Sequence, residues 1–148
     1  MRRKSEGSLP ELPCACASLR RAARAVTRMY NQELRSSGLE LTQFTLLMTL
    51  DLTGKITQKA LGRILAMDST TLTRTLSSLV ERSWIGTHPG EDRREKLLTL
   101  TAAGRRKFQQ VRPDWERAQK KLRASIGERT WHEMGKFHTD IATAAERL

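Results

Sequence analysis

One short stretch of this 148-residue chain carries side chains that could recognise a partner by hydrogen bonding. The segment that follows Met67 has a helical pattern with one apolar face, which ends at Val80. The opposite face carries hydroxyl groups and one guanidinium, from Thr70, Thr71, Arg74, Ser77 and Ser78. Small hydroxyl side chains let a helix approach a phosphate backbone closely, and one Arg can donate two hydrogen bonds to guanine O6 and N7. We interpret Arg74 as a base-reading residue; an ordinary solvated helix face is the alternative.

A second stretch concentrates charge in a loop between two segments that alternate weakly between apolar and polar residues, 84–88 and 95–100. Within this loop, Arg93 and Arg94 directly follow Asp92. An Arg at such a loop tip can enter a narrow minor groove of DNA, where the negative potential is enhanced. Asp92 would then orient one of the two Arg side chains. The alternative is a solvated turn with an internal Asp–Arg pair, which contributes little at a surface.

The two thiols of the chain, Cys14 and Cys16, are candidates for nucleophilic or redox chemistry. Arg20, Arg21 and Arg24 follow closely, and neighbouring cations favour the reactive thiolate. Within one helix the thiols would point about 200° apart and could not bond to each other. In an extended segment they could form a disulfide or hold a soft metal. For Cys16 alone, a small buried side chain at a helix interface is the alternative.

The charge of the chain favours a polyanionic partner. Its 27 Lys and Arg exceed 16 Asp and Glu, which gives a net charge of +11 and an isoelectric point near 10.6. A membrane surface or an acidic protein would satisfy the same charge. No apolar stretch is long enough to cross a bilayer, and the N-terminus lacks the layout of a secretory signal. We therefore expect a cytoplasmic protein that does not enter the membrane.

Helical periodicity predicts three helices before the polar-faced helix. The first carries an apolar stripe from Leu12 to Leu34 at spacings of three and four, which requires a partner helix. Thr42 is expected to cap the second helix, and Thr57 the short third one. Their expected inward residues are Phe44, Leu47, Met48 and Leu52, then Leu61, Ile64 and Leu65. The polar-faced helix, capped by Asp68 or Ser69, is expected to bury Leu72, Leu76, Leu79 and Val80.

Two further helical segments follow the charged loop. Thr101 is expected to cap a long segment that Pro113 kinks or restarts, and residues 131–148 carry a final apolar stripe. A short helix, a tight connection, a polar-faced helix and a hairpin are typical of a winged helix-turn-helix, in which the polar-faced helix enters the major groove. The predicted fold class is mainly α with a small β wing and a helical dimerisation region.

In chain order, these segments resemble the MarR family of bacterial regulators. The resemblance covers nearly the whole chain and rests on the runs Thr57 to Leu61, Met67 to Arg74, Glu91 to Arg94 and Leu98 to Gly104. It implies a homodimer with interlocked terminal helices, whose two winged lobes read a palindromic site in double-stranded DNA. Matched position by position, it assigns DNA contacts to Ser69, Thr70, Thr71, Thr73 and Arg74 of the recognition helix. It assigns further contacts to Thr57, Gln58 and Lys59 of the short helix and to Asp92 and Arg94 of the wing.

The resemblance also predicts the domain organisation and the mode of regulation. We expect a basic flexible tail over residues 1–11, a dimerisation region over 12–40 and 105–148, and a DNA-binding lobe over 41–104. The expected function is transcriptional regulation, as a repressor relieved by a small-molecule effector or a thiol-directed signal, without enzymatic activity or a cofactor. Cys16 lies near the reactive cysteine of the family's hydroperoxide sensors, but their second-helix tyrosines are missing. Ser83-Trp84 stands where the family commonly has Gly and an aliphatic residue.

Other classes of function fit the sequence less well. A thiol-redox or metal-binding protein that uses Cys14 and Cys16 without reading DNA is the main alternative. The chain has no glycine-rich phosphate loop, and its three His residues lack a paired metal-binding spacing. An RNA-binding protein would be expected to carry more than 5% aromatic residues for base stacking. A helical interaction module would explain the stripes and the charge but not the hairpin.

Overall fold

The computed structural model describes residues 9–92 and 94–147. Most of the predicted tail and the predicted contact Arg93 therefore lie outside the described residues. The elements in chain order are α1 (Ala15–Leu34), a 3-10 turn (Arg35–Ser37), α2 (Leu41–Thr53), β1 (Ile56–Thr57), α3 (Gln58–Leu65), α4 (Ser69–Glu81), β2 (Ile85–Pro89), β3 (Lys96–Leu100), α5 (Ala102–Ile126) and α6 (Glu128–Ala145). The prediction of a mainly α fold with a small β wing is confirmed.

Side-chain caps start three of the helices where the sequence predicted them. Thr57, Asp68 and Thr101 each accept a hydrogen bond from the backbone N–H three residues further on, at 3.1, 2.9 and 2.9 Å. Each cap satisfies an N–H that has no partner within its helix. These caps set the starts of α3, α4 and α5, and so the positions from which α3 and α4 present their exposed side chains.

The start of α2 differs from its prediction. The cap is Glu40, not Thr42, and the helix begins at Leu41. The Glu40 carboxylate accepts from the backbone N–H of Gln43, while the Gln43 side chain accepts from the backbone N–H of Glu40 at 3.1 Å. This reciprocal capping box satisfies two N–H groups at once. A cap at Thr42 could not complete such a box, because the residue three positions further on is Thr45 rather than Glu or Gln.

The core lies between α2, α4, α5 and the sheet. Its fully buried side chains include Leu46, Leu47, Leu50, Leu61 and Leu79. Three residues predicted to point inward are exposed instead, with relative exposures of 79% for Leu52, 57% for Ile64 and 37% for Val80. Periodicity identifies the apolar face of a helix, but it does not show where the neighbouring elements that cover this face end.

Helix α5 continues through Pro113, so the predicted restart is wrong. Proline in a helix interior costs about 3 kcal/mol, because it removes one hydrogen bond and its ring crowds the preceding turn. Packing on both sides of Pro113 offsets this cost. Phe108 and Trp115 lie 5.3 and 5.7 Å from the ring of Phe44, and Val111 is fully buried.

The three strands form one antiparallel sheet in the order β1-β3-β2. The predicted hairpin is confirmed, with β2 beginning one residue later than expected; Ile85 pairs with Leu100 and Pro89 with Lys96. Strand β1 was not predicted. Because Ile56 pairs with Leu98 and β1 runs directly into α3, the sheet connects the hairpin to the start of the short helix.

The two ends of the chain leave apolar side chains uncovered. Helix α6 has no buried residue, and Phe137 is 55% exposed. In α1 the buried residues are Tyr30 and Leu34, both near its C-terminal end. The Tyr30 hydroxyl donates to Gln119 of α5 at 2.6 Å, which fixes this end of α1. Among the described residues, no helix is both long and apolar enough to span a membrane.

Candidate nucleic-acid interface

Helix α4 presents its polar face to solvent because its apolar face is buried in the core. Leu72, Leu76 and Leu79 are buried. The exposed residues of the other face are Ser69, Thr70, Thr73, Arg74 and Ser77, whereas Thr71 is half-buried. The predicted polar face is therefore present, with Arg74 one turn and a half into the helix.

The cap of α4 is negatively charged. Asp68 accepts the backbone N–H of Thr71, and this hydrogen bond lowers the pKa of the carboxyl group below its usual value. A carboxylate at a helix N-terminus is further favoured by the helix dipole. Asp68 therefore stabilises the first turn of α4, the turn that carries Ser69 and Thr70, in its ionised form.

A side-chain hydrogen bond joins α3 to α4. The amide of Gln58 donates to the Thr73 hydroxyl at 3.0 Å; Gln58 is half-buried and Thr73 is exposed. Thr73 was predicted to contact DNA; it also has an intramolecular partner that fixes the relative position of the two helices. Gln58 was predicted to contact DNA, but its hydrogen bond to Thr73 was not predicted, because the two residues are 15 positions apart.

One open groove, with a volume of about 860 Å³, brings together much of the predicted site. Six of its lining residues were predicted DNA contacts: Thr57, Gln58, Lys59, Ser69, Thr73 and Arg94. Arg63 and Lys96 add two cations that the sequence analysis did not assign, and Glu95 and Glu146 contribute carboxylates. Arg63 lies four residues after Lys59, a helical spacing that could have indicated it.

The wing loop is held by backbone contacts. Asp92 accepts from the backbone N–H of Arg94 at 3.0 Å, and the backbone N–H of Glu95 donates to the Asp92 carbonyl at 2.9 Å. In the described part of the loop, no salt bridge joins Asp92 to an arginine. Asp92 thus orders the backbone of the turn, and the Arg94 side chain is exposed and available to a partner.

The two thiols lie at the start of α1. Cys14 is the extended residue just before the helix, Cys16 lies in its first turn, and both are exposed. They therefore lie on either side of the boundary between extended and helical backbone. Across residues 9–92 and 94–147, no three His, Cys, Asp or Glu side chains are grouped so that they could hold a metal ion.

Sequence and structure comparisons identify the family. A model described as MarR family matches residues 39–96. The uncharacterized HTH-type transcriptional regulator YwoH of Bacillus subtilis is 33% identical over 93 residues, which cover 63% of this chain and 68% of YwoH. The transcriptional regulator MosR of M. tuberculosis, crystallised in complex with DNA, is 35% identical; the match covers 90% of this chain and 97% of MosR, with a TM-score of 0.81. The chain belongs to the MarR family.

The resemblance inferred from the sequence is thereby confirmed, and the chain is a MarR-family transcriptional regulator. MarR of E. coli is a more distant relative in sequence, at 21% identity, but shares the fold with a TM-score of 0.73 over 88% of this chain and 98% of MarR. In this MarR-family chain, α3 and α4 form the helix-turn-helix, and β2 and β3 form the wing.

Proposed function

We propose that this MarR-family regulator binds a palindromic site in double-stranded DNA as a homodimer, with α4 in the major groove and the wing at the adjacent minor groove. The observation that carries the proposal is the groove in which the start of α3, the exposed face of α4 and the base of the wing meet. Three separate segments of a basic chain contribute hydrogen-bond donors and cations to this one surface. If the polar face of α4 were only a solvated helix face, α3 and the wing would not need to bring donors and cations to the same surface.

The contacts divide by chemistry. Lys59, Arg63, Arg94 and Lys96 carry charges that would neutralise phosphates, a contribution that raises affinity for any duplex and weakens with salt. Arg74 is exposed on α4 outside this groove and is the proposed base-reading residue. Ser69 and Thr70, in the first turn of α4, are proposed to approach the phosphate backbone together with the N-terminus of the helix.

The uncovered helices supply the proposed dimer interface. Residues 12–40 and 105–148 are proposed as the dimerisation region, and 41–104 as the DNA-binding lobe. Within the described part of the chain, α6 has no buried residue and the first half of α1 has none either. Apolar surface of this extent is unusual on a monomer. Light scattering of the full chain should therefore give twice the mass of 16.8 kDa; a monodisperse monomer would refute this part.

The test of DNA reading begins with selection of bound duplexes from random-sequence DNA. Affinity is then measured by fluorescence anisotropy over a range of salt concentrations. Arg74→Ala should cost about 1–3 kcal/mol on the selected duplex and reduce its preference over random DNA, because a base-edge donor is lost. Arg94→Ala should weaken binding to all duplexes alike and reduce the salt dependence.

Arg106→Ala provides the matched control. Arg106 is exposed on α5, and within the described part of the chain it forms no side-chain hydrogen bond or salt bridge. This variant removes one charge from α5 that lies neither on α4 nor in the groove, so sequence preference should be unchanged. An Arg74→Ala protein that retains the full preference of the wild type would show that α4 has been assigned the wrong role.

Regulation is proposed to act through a small-molecule effector or through Cys16. The thiol of Cys16 is exposed in the first turn of α1, so an oxidant or an alkylating agent can reach it. Oxidation or alkylation there would alter the packing of the proposed dimer region and release DNA. Operator affinity is measured before and after treatment for the wild type, Cys16→Ser and the control Cys14→Ser; only Cys16→Ser should abolish the response. If the wild type keeps its operator affinity although Cys16 is confirmed to be modified, regulation by a small-molecule effector is favoured.

A further inference from the structure

Trp84 lies where α4, the wing and α5 meet. Its backbone N–H donates to the Leu79 carbonyl near the end of α4 at 3.0 Å, and its own carbonyl accepts from the backbone N–H of Thr101 at 3.1 Å. Gly104 permits this approach of α5, because a Cβ there would lie 2.0 Å from the Trp84 carbonyl oxygen. The backbone of Trp84 is therefore fixed to both helices.

Two cations lie over the Trp84 ring. The guanidinium carbon of Arg82 is 5.1 Å from the ring centroid and the Nζ of Lys107 is 5.4 Å from it, within the range of cation–π attraction. Each cation also donates to the turn that follows α1: Arg82 to the Gly38 carbonyl at 3.3 Å, and Lys107 to the Ser37 carbonyl at 2.6 Å. The ring and its two cations thus connect the end of α4 and α5 to the end of α1.

The two cations of this cluster have the ring and backbone carbonyls as partners. Within the described residues, neither Arg82 nor Lys107 forms a salt bridge to a carboxylate, although seven other salt bridges are present. Two like charges near one partly buried ring repel each other. The electron-rich face of the indole and the two carbonyls offset that repulsion. An aliphatic side chain at position 84 would remove the attraction of both cations to one ring and leave only their hydrogen bonds to the two carbonyls.

We propose that Arg82, Trp84 and Lys107 are positioning residues that set the orientation of α4 relative to α1 and α5. The inference rests on the proposed function, in which α1 and α5 belong to the dimerisation region and α4 reads DNA. A dimer must present its two recognition helices about 34–36 Å apart, one turn of duplex. A rotation of each lobe about this cluster would change that separation while leaving the contacts of a single lobe intact. The cluster would therefore determine which spacing of half-sites the regulator accepts.

The test compares the selected duplex with two versions that have one base pair added or removed between the half-sites. For the wild type we expect affinity to fall roughly tenfold or more on the altered spacings. In the double variant Arg82→Met, Lys107→Met, both charges are lost and the ring is kept, and we expect that ratio to fall to about threefold or less. Trp84→Leu should behave like the double variant, whereas Trp84→Phe, which retains an aromatic face, should keep the wild-type ratio.

The ratio separates positioning from other effects. Partial unfolding, or a weaker attraction for phosphates, lowers all three affinities by the same factor and leaves the ratio unchanged. Arg106→Met, which removes a neighbouring charge of α5, should at most lower all three affinities by the same factor and should leave the ratio unchanged. An unchanged ratio in the double variant would overturn the inference. If the wild type binds no selected duplex, the proposed function itself fails, and the measurement on the wild type shows this before any variant is made.

Discussion

Replacing Gly104 with Ala perturbs the contact between α5 and the segment that leads from α4 into the wing. A Cβ at this position would lie 2.0 Å from the carbonyl oxygen of Trp84 and 2.8 Å from a methyl carbon of Leu100, whereas ordinary contacts begin near 3.4 Å. The Leu100 side chain can rotate, but the Trp84 oxygen belongs to the backbone. The added methyl group therefore has to push the first turn of α5 away from Trp84.

The magnitude follows from the contacts that this displacement breaks. Overpacking costs about 1–3 kcal/mol. The Thr101 backbone N–H donates to the Trp84 carbonyl at 3.1 Å, and its hydroxyl donates to the Ser83 carbonyl at 2.7 Å and more distantly to that of Trp84 at 3.2 Å; each lost hydrogen bond costs about 0.5–1.5 kcal/mol. Ala is favoured over Gly within a helix by about 1 kcal/mol, which offsets part of the loss. We expect Gly104→Ala to lower the free energy of unfolding by about 2–4 kcal/mol.

Urea unfolding followed by circular dichroism measures this loss, at one fixed protein concentration because the stability of a dimer depends on concentration. Gly135→Ala is the matched control, since Gly135 lies within α6 and a Cβ there would have nothing within 4 Å. The control should unfold at the same urea concentration as the wild type or at a higher one. If Gly104→Ala is as stable as the wild type, the close contact between α5 and Trp84 does not exist.

Three further changes test local features of the lobe and of its support. Ser83 has a left-handed backbone with φ of 59°, so Ser83→Gly should raise the free energy of unfolding by about 0.5–1 kcal/mol in the same urea assay. Because the folded-state pKa of Asp68 is lowered, its cap stabilises the fold above the ordinary carboxyl pKa and is lost as pH falls below about 4. Asp68→Asn should therefore weaken the acid dependence of the unfolding midpoint; an unaltered dependence would contradict this. Tyr30→Phe, which leaves the half-buried Gln119 amide without its donor, should cost about 1 kcal/mol.

The sequence predicted those features that local chemistry determines. Thr57 and Thr101 were identified as caps, and Asp68 as one of two candidates with Ser69, because short polar side chains before an apolar stripe are favoured N-caps. The polar face of α4 followed from the spacing of its leucines, and the hairpin from its charged loop. The family commonly has Gly where this chain has Ser83. The left-handed backbone at Ser83 agrees with this difference, because a Gly would adopt a φ of 59° without strain.

The features that the sequence did not predict depend on tertiary packing. Strand β1 has only two residues, too few for an alternating pattern, and it exists because β3 pairs with it. The continuity of α5 through Pro113 depends on Trp115 packing against Phe44, 71 positions earlier in the chain. The exposure of Leu52 and Val80 depends on where neighbouring elements end, which periodicity does not encode.

The same division applies to the candidate site. Arg94 and the α4 face were assigned from residue type and position, and Lys59 from the resemblance to the MarR family. The Gln58–Thr73 hydrogen bond and the groove shared by α3, α4 and the wing became visible only in three dimensions. The cluster around Trp84 joins residues of α5, the end of α4 and the turn after α1, and no local pattern marks Lys107 as a partner of that ring.

Two copies of this chain are proposed to read one duplex through α4 and the wing. Native mass spectrometry of the protein mixed with its selected duplex measures the composition of the complex directly. We expect two chains on each duplex, with no complex of one chain at comparable abundance, and a large loss of the complex when Arg74→Ala replaces the wild type. A complex of one chain with one duplex, or an unchanged complex with Arg74→Ala, would contradict it.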